Sequence, residues 1–153
     1  MKKFLVTAIS MLLISFSAVS ELLKGTVIAI HDGDTLTLKS SDKERKVRLV
    51  GIDAPELGQP YGVESRNALR EAVLNRELKV ETFKTDKYGR YLGKVSLDGQ
   101  DINLKQVHTG MAWVYTEYLR ELSKADRSIY LDAEAKSKSE GTGLWKMNEP
   151  IEP

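Results

Sequence analysis

The chain has 153 residues, the length of one domain. An apolar share of 41% can fill a core, and a charged share of 29% excludes an integral membrane protein. With no cysteine, a disulfide framework and a thiolate metal site are excluded too.

Met1 to Ser20 reads as a separate object. Lys2 and Lys3 make a basic start, Phe4 to Phe16 is apolar with few polar interruptions, and Ala18-Val19-Ser20 puts small residues where a signal peptidase reads. The apolar stretch is short for a membrane span, and no cysteine follows it to carry a lipid. The expectation is a signal peptide over 1–20 and a domain over 21–153 that starts at Glu21 in a periplasm or outside the cell. The leader holds two of the 23 basic residues and none of the 22 acidic ones, so the chain beyond it carries a net charge of −1. Attraction to nucleic acid therefore has to come from a local patch.

Short strands follow. Thr26 to His31 is β-branched and apolar. Thr35-Leu36-Thr37-Leu38 alternates, with its leucines on one face. A polar turn over Ser40–Lys43 makes a hairpin of Thr35–Lys39 and Glu44–Ile52. In that third strand Val47, Leu49 and Gly51 face one way and Arg48, Val50 and Ile52 the other, and Pro55, lacking an N–H, stops further pairing. Leu78, Val80 and Thr82 alternate in a fourth strand. Tyr91, Gly93, Val95 and Leu97 alternate in a fifth, closed by Asp98-Gly99.

Three helices are expected. Val63 to Asn75 puts Leu69, Ala72 and Val73 on one face. Asn103 to Thr109 is short, with Asn103 as its cap, Gln106 three residues on, and Gly110 where a helix ends. In the last helix Leu122, Ala125, Ile129 and Ala133 form the inward stripe, and Gly141 and Gly143 follow. Leu144 and Trp145 then return to the barrel. Five short strands, with a helix between the third and fourth, suit an α+β fold built on a five-stranded OB-fold β-barrel. Barrels of this kind often bind oligonucleotides on one face.

Charged residues cluster at strand ends. Asp34 lies in the glycine turn His31-Asp32-Gly33-Asp34-Thr35, and Asp53 ends the third strand. Two carboxylates, a backbone carbonyl and waters make a hard oxygen site suited to Ca²⁺, though Asp-Gly-Asp is also an ordinary hairpin turn. As an exposed turn residue, Asp34 is expected to be replaceable with little loss of stability. Two histidines and no cysteine give a soft metal little to hold. Phosphodiester hydrolysis places negative charge on phosphate oxygens, and a planar guanidinium can donate two hydrogen bonds to them. Arg48 on the strand and Arg90 in the turn Thr85-Asp86-Lys87-Tyr88-Gly89-Arg90 are the candidates. Glu56, beside Pro55, is a carboxylate able to accept a proton from water. Trp113, Tyr115 and Tyr118 form an aromatic run that either packs between helices or stacks on bases, with Tyr115 the better stacking candidate. His31 and His108 are given no role.

An acidic turn, an Arg-strand-Asp-x-x-Glu segment and a Tyr-Gly-Arg turn, in that order, resemble the staphylococcal nuclease (thermonuclease) family from about Lys24 to Trp145. The resemblance implies the same OB-fold and a calcium-dependent nuclease that hydrolyses DNA and RNA to 3′-phosphorylated products. By position, Asp34 and Asp53 match the calcium carboxylates, and Ala54 stands where a ligating carbonyl is expected, in place of the best-known member's threonine. Arg48, Glu56 and Arg90 match the catalytic residues, with Glu56 orienting or deprotonating the water. Lys87 and Tyr88 match residues that hold a nucleotide phosphate and stack or bond near the sugar. The segment Leu57 to Gly62 is shorter than the corresponding loop of that member. The expected partner is single-stranded or unwound DNA or RNA, met by a monomer with no stable protein partner. The alternative is a non-catalytic nucleic-acid-binding module on the same barrel. Domains of the family that only bind typically lack some of the five charged residues, and all five stand here.

Overall fold

The computed structural model describes residues 21–153; the expected leader lies outside the described residues. Strands β1 (Glu21–Ile30), β2 (Thr35–Ser40), β3 (Lys43–Leu49), β5 (Glu77–Thr85) and β6 (Tyr91–Leu97) form a mixed barrel. Neighbours pair antiparallel in the order β3-β2-β1-β5-β6, and a parallel pairing of β3 with β6, through Arg48 opposite Leu92, closes the barrel. The expected leucine alternation holds: Leu36 and Leu38 are fully buried, as are Val47 opposite Leu36, Leu49 further along β3, and Val80, Leu92 and Val95 across the barrel. Each such side chain contributes about 1.5–3 kcal/mol on leaving water.

Helix α1 (Gly62–Val73) interrupts the strands between the third and fourth of the barrel and buries Leu69 and Val73, as its spacing predicts. A two-residue strand β7 (Gln100–Asp101) leads into α2 (Ile102–His108), and Gly110 follows that helix. A one-turn helix α3 (Thr116–Leu119) and a 3₁₀ turn over Gly143–Lys146 add to the three expected helices. Leu144 is fully buried and Trp145 meets Trp113 edge to face at 6.0 Å, so this turn does return to the body of the fold. Among the described residues no helix is long and apolar enough to cross a membrane.

Three expectations need correction. The third strand does not run on to Ile52. Gly51 adopts φ 77°, a left-handed conformation that breaks the alternation. Ile52–Asp53 then forms its own strand, β4, antiparallel to β8 (Trp113–Val114). The cap of α2 is Asp101, whose carboxylate accepts from the Leu104 N–H; Asn103 is buried and bonds Val95 N, Val50 O and Gly93 O. The last helix, α4 (Lys124–Glu140), presents Tyr130, Ala133 and Ser137 to the core, while Ile129 is 50% exposed and Leu122 is buried just before the helix. Tyr130 takes the buried place instead of Ile129, with its hydroxyl satisfied by the Asp101 carboxylate at 2.9 and 3.0 Å.

Candidate active site

Four separate segments meet at one end of the barrel. The first is the turn between β1 and β2. The Asp34 N–H donates to Asp32 Oδ1 at 3.0 Å, and Gln106 of α2 donates to the Gly33 carbonyl at 2.7 Å and to Ser65 O of α1 at 3.1 Å. Gly33 is required by close approach: a Cβ there would sit 1.8 Å from Ser65 Oγ and 2.7 Å from Ala54 Cβ. So α1 and α2 together clamp the acidic turn.

Asp34 is not the exposed turn residue expected. It is 4% exposed. Its carboxylate accepts from the Ala54 N–H at 2.7 Å, from the Thr35 hydroxyl at 3.0 Å and from Arg48 Nη1 at 2.7 Å. Arg48 also donates to Ile52 O at 2.9 Å and, through Nη2, to Asp53 Oδ1 at 2.5 Å. One buried guanidinium thus lies between the two carboxylates. Burial pushes Asp34 up to about 8 against the pull of Arg48, and the charges of Asp32 and Asp53 add to the rise. Burial raises Asp53 as well, again opposed by Arg48 and helped by Glu56. Loss of solvation is thus the main force on both carboxyls, and Arg48 offsets part of it.

The second segment runs from β4 to α1. Asp53 is held by its pairing with Trp113, and Val114 N–H beside it donates to Glu134 of α4 at 2.9 Å. Glu56 follows on an exposed turn in which its N–H meets Gln59 Oε1 at 2.7 Å and its carbonyl accepts from Gln59 N at 2.8 Å.

The third segment is the turn between β5 and β6. Asp86 organises it. Its carboxylate accepts from Tyr88 N, Arg90 N and Arg90 Nε at 2.9, 2.9 and 2.7 Å. Burial pushes this carboxyl up, but the bonds from Arg90 and Tyr88 outweigh it and hold the pKa below the usual value. The Asp86 bond uses Nε of Arg90. Among the described residues the two terminal nitrogens of that guanidinium have no partner. Tyr88 is 70% exposed, with Lys87 Nζ and Arg90 Cζ 5.0 and 5.4 Å from its ring centre.

The fourth segment is the aromatic run. Trp113 is buried, as the packing alternative has it, whereas Tyr115 and Tyr118 meet edge to face at 5.1 Å on the pocket wall. The Tyr115 hydroxyl donates to Glu117 at 2.6 Å, which pushes its pKa up to about 12.

All nine expected residues, Asp34, Arg48, Asp53, Ala54, Glu56, Lys87, Tyr88, Arg90 and Tyr115, line one pocket of about 310 Å³, with Asp32 and Tyr118 beside them. Gln106 and Asp86 escaped the sequence reading. The second carried a signal, an aspartate two residues before a turn amide; the first carried none, because its partners are distant in the chain. Oxygen donors dominate the acidic end. Among the described residues no three histidine, aspartate or glutamate side chains converge as a cage. A hard cation there would take the Asp34 and Asp53 carboxylates and the Ala54 carbonyl, an all-oxygen donor set of the kind such an ion prefers.

Comparison with known proteins gives the family. Residues 46–147 match the model of the family described as staphylococcal nuclease homologue. A protein of Haemophilus influenzae named uncharacterized endonuclease is 39% identical, over 99% of this chain and 83% of its own. One of Shigella flexneri named micrococcal nuclease is 33% identical, over 97% and 87% respectively, and the protein ParB of Escherichia coli is 36% identical, over 95% and 85%. With its barrel, its pocket and these relatives in view, the chain belongs to the staphylococcal nuclease family.

Proposed function

We propose that this nuclease is exported and calcium-dependent, and that it hydrolyses phosphodiester bonds of DNA and RNA with little sequence or sugar preference. The observation that carries the reading is the meeting of Arg48, Glu56, Arg90, Asp34 and Asp53 in one pocket with Lys87, Tyr88 and Tyr115. Calcium would be held by Asp34, Asp53 and the Ala54 carbonyl, and it would polarise the phosphate and a bound water.

The chain's own residues account for the rest. Glu56 stands at the pocket edge, where it accepts a proton from the attacking water. Arg90 spends only Nε on the protein, so its terminal nitrogens are free to bond the phosphate oxygens on which charge builds up. Arg48 adds a fixed positive charge anchored by both carboxylates. Lys87 and Tyr88 grip the neighbouring phosphate and sugar, and Tyr115 offers a face to a base. Water attacks phosphorus, the bond to the 5′ oxygen breaks, and a 3′-phosphate and a 5′-hydroxyl result.

The test is purified Glu21–Pro153 with single-stranded DNA, in calcium and in chelator. Cleavage only with calcium is expected; full activity in chelator would remove the metal from the reading. Mass spectrometry of the full-length protein expressed with its leader is expected to find a chain starting at Glu21. An intact Met1 in a membrane fraction would replace export by anchoring.

A further inference from the structure

A second groove lies beside the pocket, between α1 and the end of β1. It holds about 240 Å³ and is lined by Ile28, Ala29, Ile30, Arg66, Arg70 and Leu74. Ile30 lines the groove and Asp32 lines the pocket, and the two are only two residues apart in the chain. A bulge in β1 between Val27 and Ala29 aims Ile28 outward, where it is 39% exposed.

The charge of this groove is unusual for the molecule. Three other surface depressions each contain a carboxylate: Glu77 and Asp98, Glu81 and Asp101, or Asp101 alone. Here the charged lining is two guanidiniums at i, i+4 spacing. Glu64 and Glu71 share the helix but do not line it. Among the described residues neither arginine makes an ion pair, and Arg66 Nε is buried with no hydrogen-bond partner. That buried N–H is closed to solvent, which leaves the terminal nitrogens, also without a partner among the described residues, as the donors for a ligand. Two forked donors above an apolar floor match the repeating unit of a single nucleic-acid strand, a phosphate and a base face.

We propose that this groove is a second phosphate subsite, holding the stretch of single strand that flanks the scissile phosphate, with Arg66 and Arg70 on its backbone and a base against Ile28 and Ile30. The proposal rests on the nuclease reading of the pocket, and its test separates the two. Binding of a fluorescent oligothymidylate of about 12 nucleotides, within the site size of one OB barrel, is measured in chelator against salt concentration. Each phosphate contact contributes about 0.7 to the salt slope on a single strand. The double variant Arg66→Gln/Arg70→Gln is expected to lose about 1.4 from that slope. Arg70→Gln alone, at an exposed position that carries no packing, is expected to lose about 0.7 and keeps the test open should the double variant fold poorly. In calcium, the preference in kcat/KM for the long strand over a dinucleotide is expected to fall about tenfold. Slopes equal to the parent's in both variants would overturn the subsite. A parent that cuts neither substrate would instead overturn the nuclease reading, and the slopes would still decide the groove.

Discussion

The burial of Asp34 makes a test of the pocket's charge balance that needs no substrate. Its carboxyl is driven from 3.8 up to about 8, first by burial, with Asp32 and Asp53 adding to the rise. In the unfolded chain the group ionises freely near 3.8, whereas burial in the fold favours the protonated form. The folded state thus binds more protons between those values, and stability falls as pH rises through them. At pH 7 the gap amounts to at most about 4 kcal/mol, at about 1.4 kcal/mol per unit. Asp34→Asn removes the charge and keeps an oxygen for the Ala54 N–H, but turns an amide toward Arg48, which takes back about 1–3 kcal/mol. The net expectation is a protein about 1–3 kcal/mol more stable than the parent at pH 7 without divalent cations, or roughly 3–10 °C in Tm. The assay is thermal and urea unfolding in chelator at several pH values, and the advantage is expected to shrink toward pH 4. A variant no more stable than the parent at pH 7, with a difference flat across pH, would refute the claim that burial makes the Asp34 charge costly. The same variant is expected to be inactive and to lose any stabilisation by calcium.

Arg90→Ala is expected to lower kcat by about 10²–10³ with little change in affinity, and Arg90→Lys, which lacks the planar fork, to be badly impaired as well; weakened binding with intact kcat would make Arg90 a docking residue. Tyr115→Ala is expected to do the reverse, weakening single-strand binding by about 1–3 kcal/mol while saturated turnover is largely kept, as steady-state kinetics beside calcium-free binding would report. Asp86→Ala is expected to resemble a milder Arg90→Ala, because it releases Arg90 Nε and two turn amides at once; kinetics equal to the parent's would show the turn orders itself. Because the fold holds Asp86 below its ordinary value, its contribution to stability is full above about pH 4 and is lost only as the pH falls below 3.8, which acid unfolding of the same variant would expose.

The membership of the candidate site was legible because its parts are local. Asp34, the Arg48–Glu56 segment and the turn ending at Arg90 each carry their residues within a few positions, and strand ends of a small barrel have to converge somewhere. What escaped depended on contacts distant in sequence. Val50 and Ile52 read as one more turn of alternation, and only the left-handed Gly51 cuts the strand and hands Asp53 to β8. Asn103 and Gln106 have the spacing of a capping pair, yet both spend their amides across the fold, on Val50, Gly93, Gly33 and Ser65. In α4 the aliphatic Ile129 looked like the buried member, but the hydroxyl of Tyr130 has a partner in Asp101 and can be buried whole. The depth of Asp34 was invisible for a related reason: polar turn residues ordinarily face water, and here α1 and α2 close over the turn.

The pairing of β4 with β8 also sets an order in time. Every residue assigned to metal or catalysis lies between Asp34 and Arg90, yet the strand that holds Asp53 is completed only at Val114, and its brace, Glu134, comes later still. A chain emerging from the ribosome therefore displays its full set of reactive side chains well before it has an assembled centre. The candidate site therefore leans on segments that come after every residue assigned to it. Truncations from the C-terminus are expected to trace that dependence, with cleavage lost on removal of the segment around Glu134 even though residues 21–115 remain.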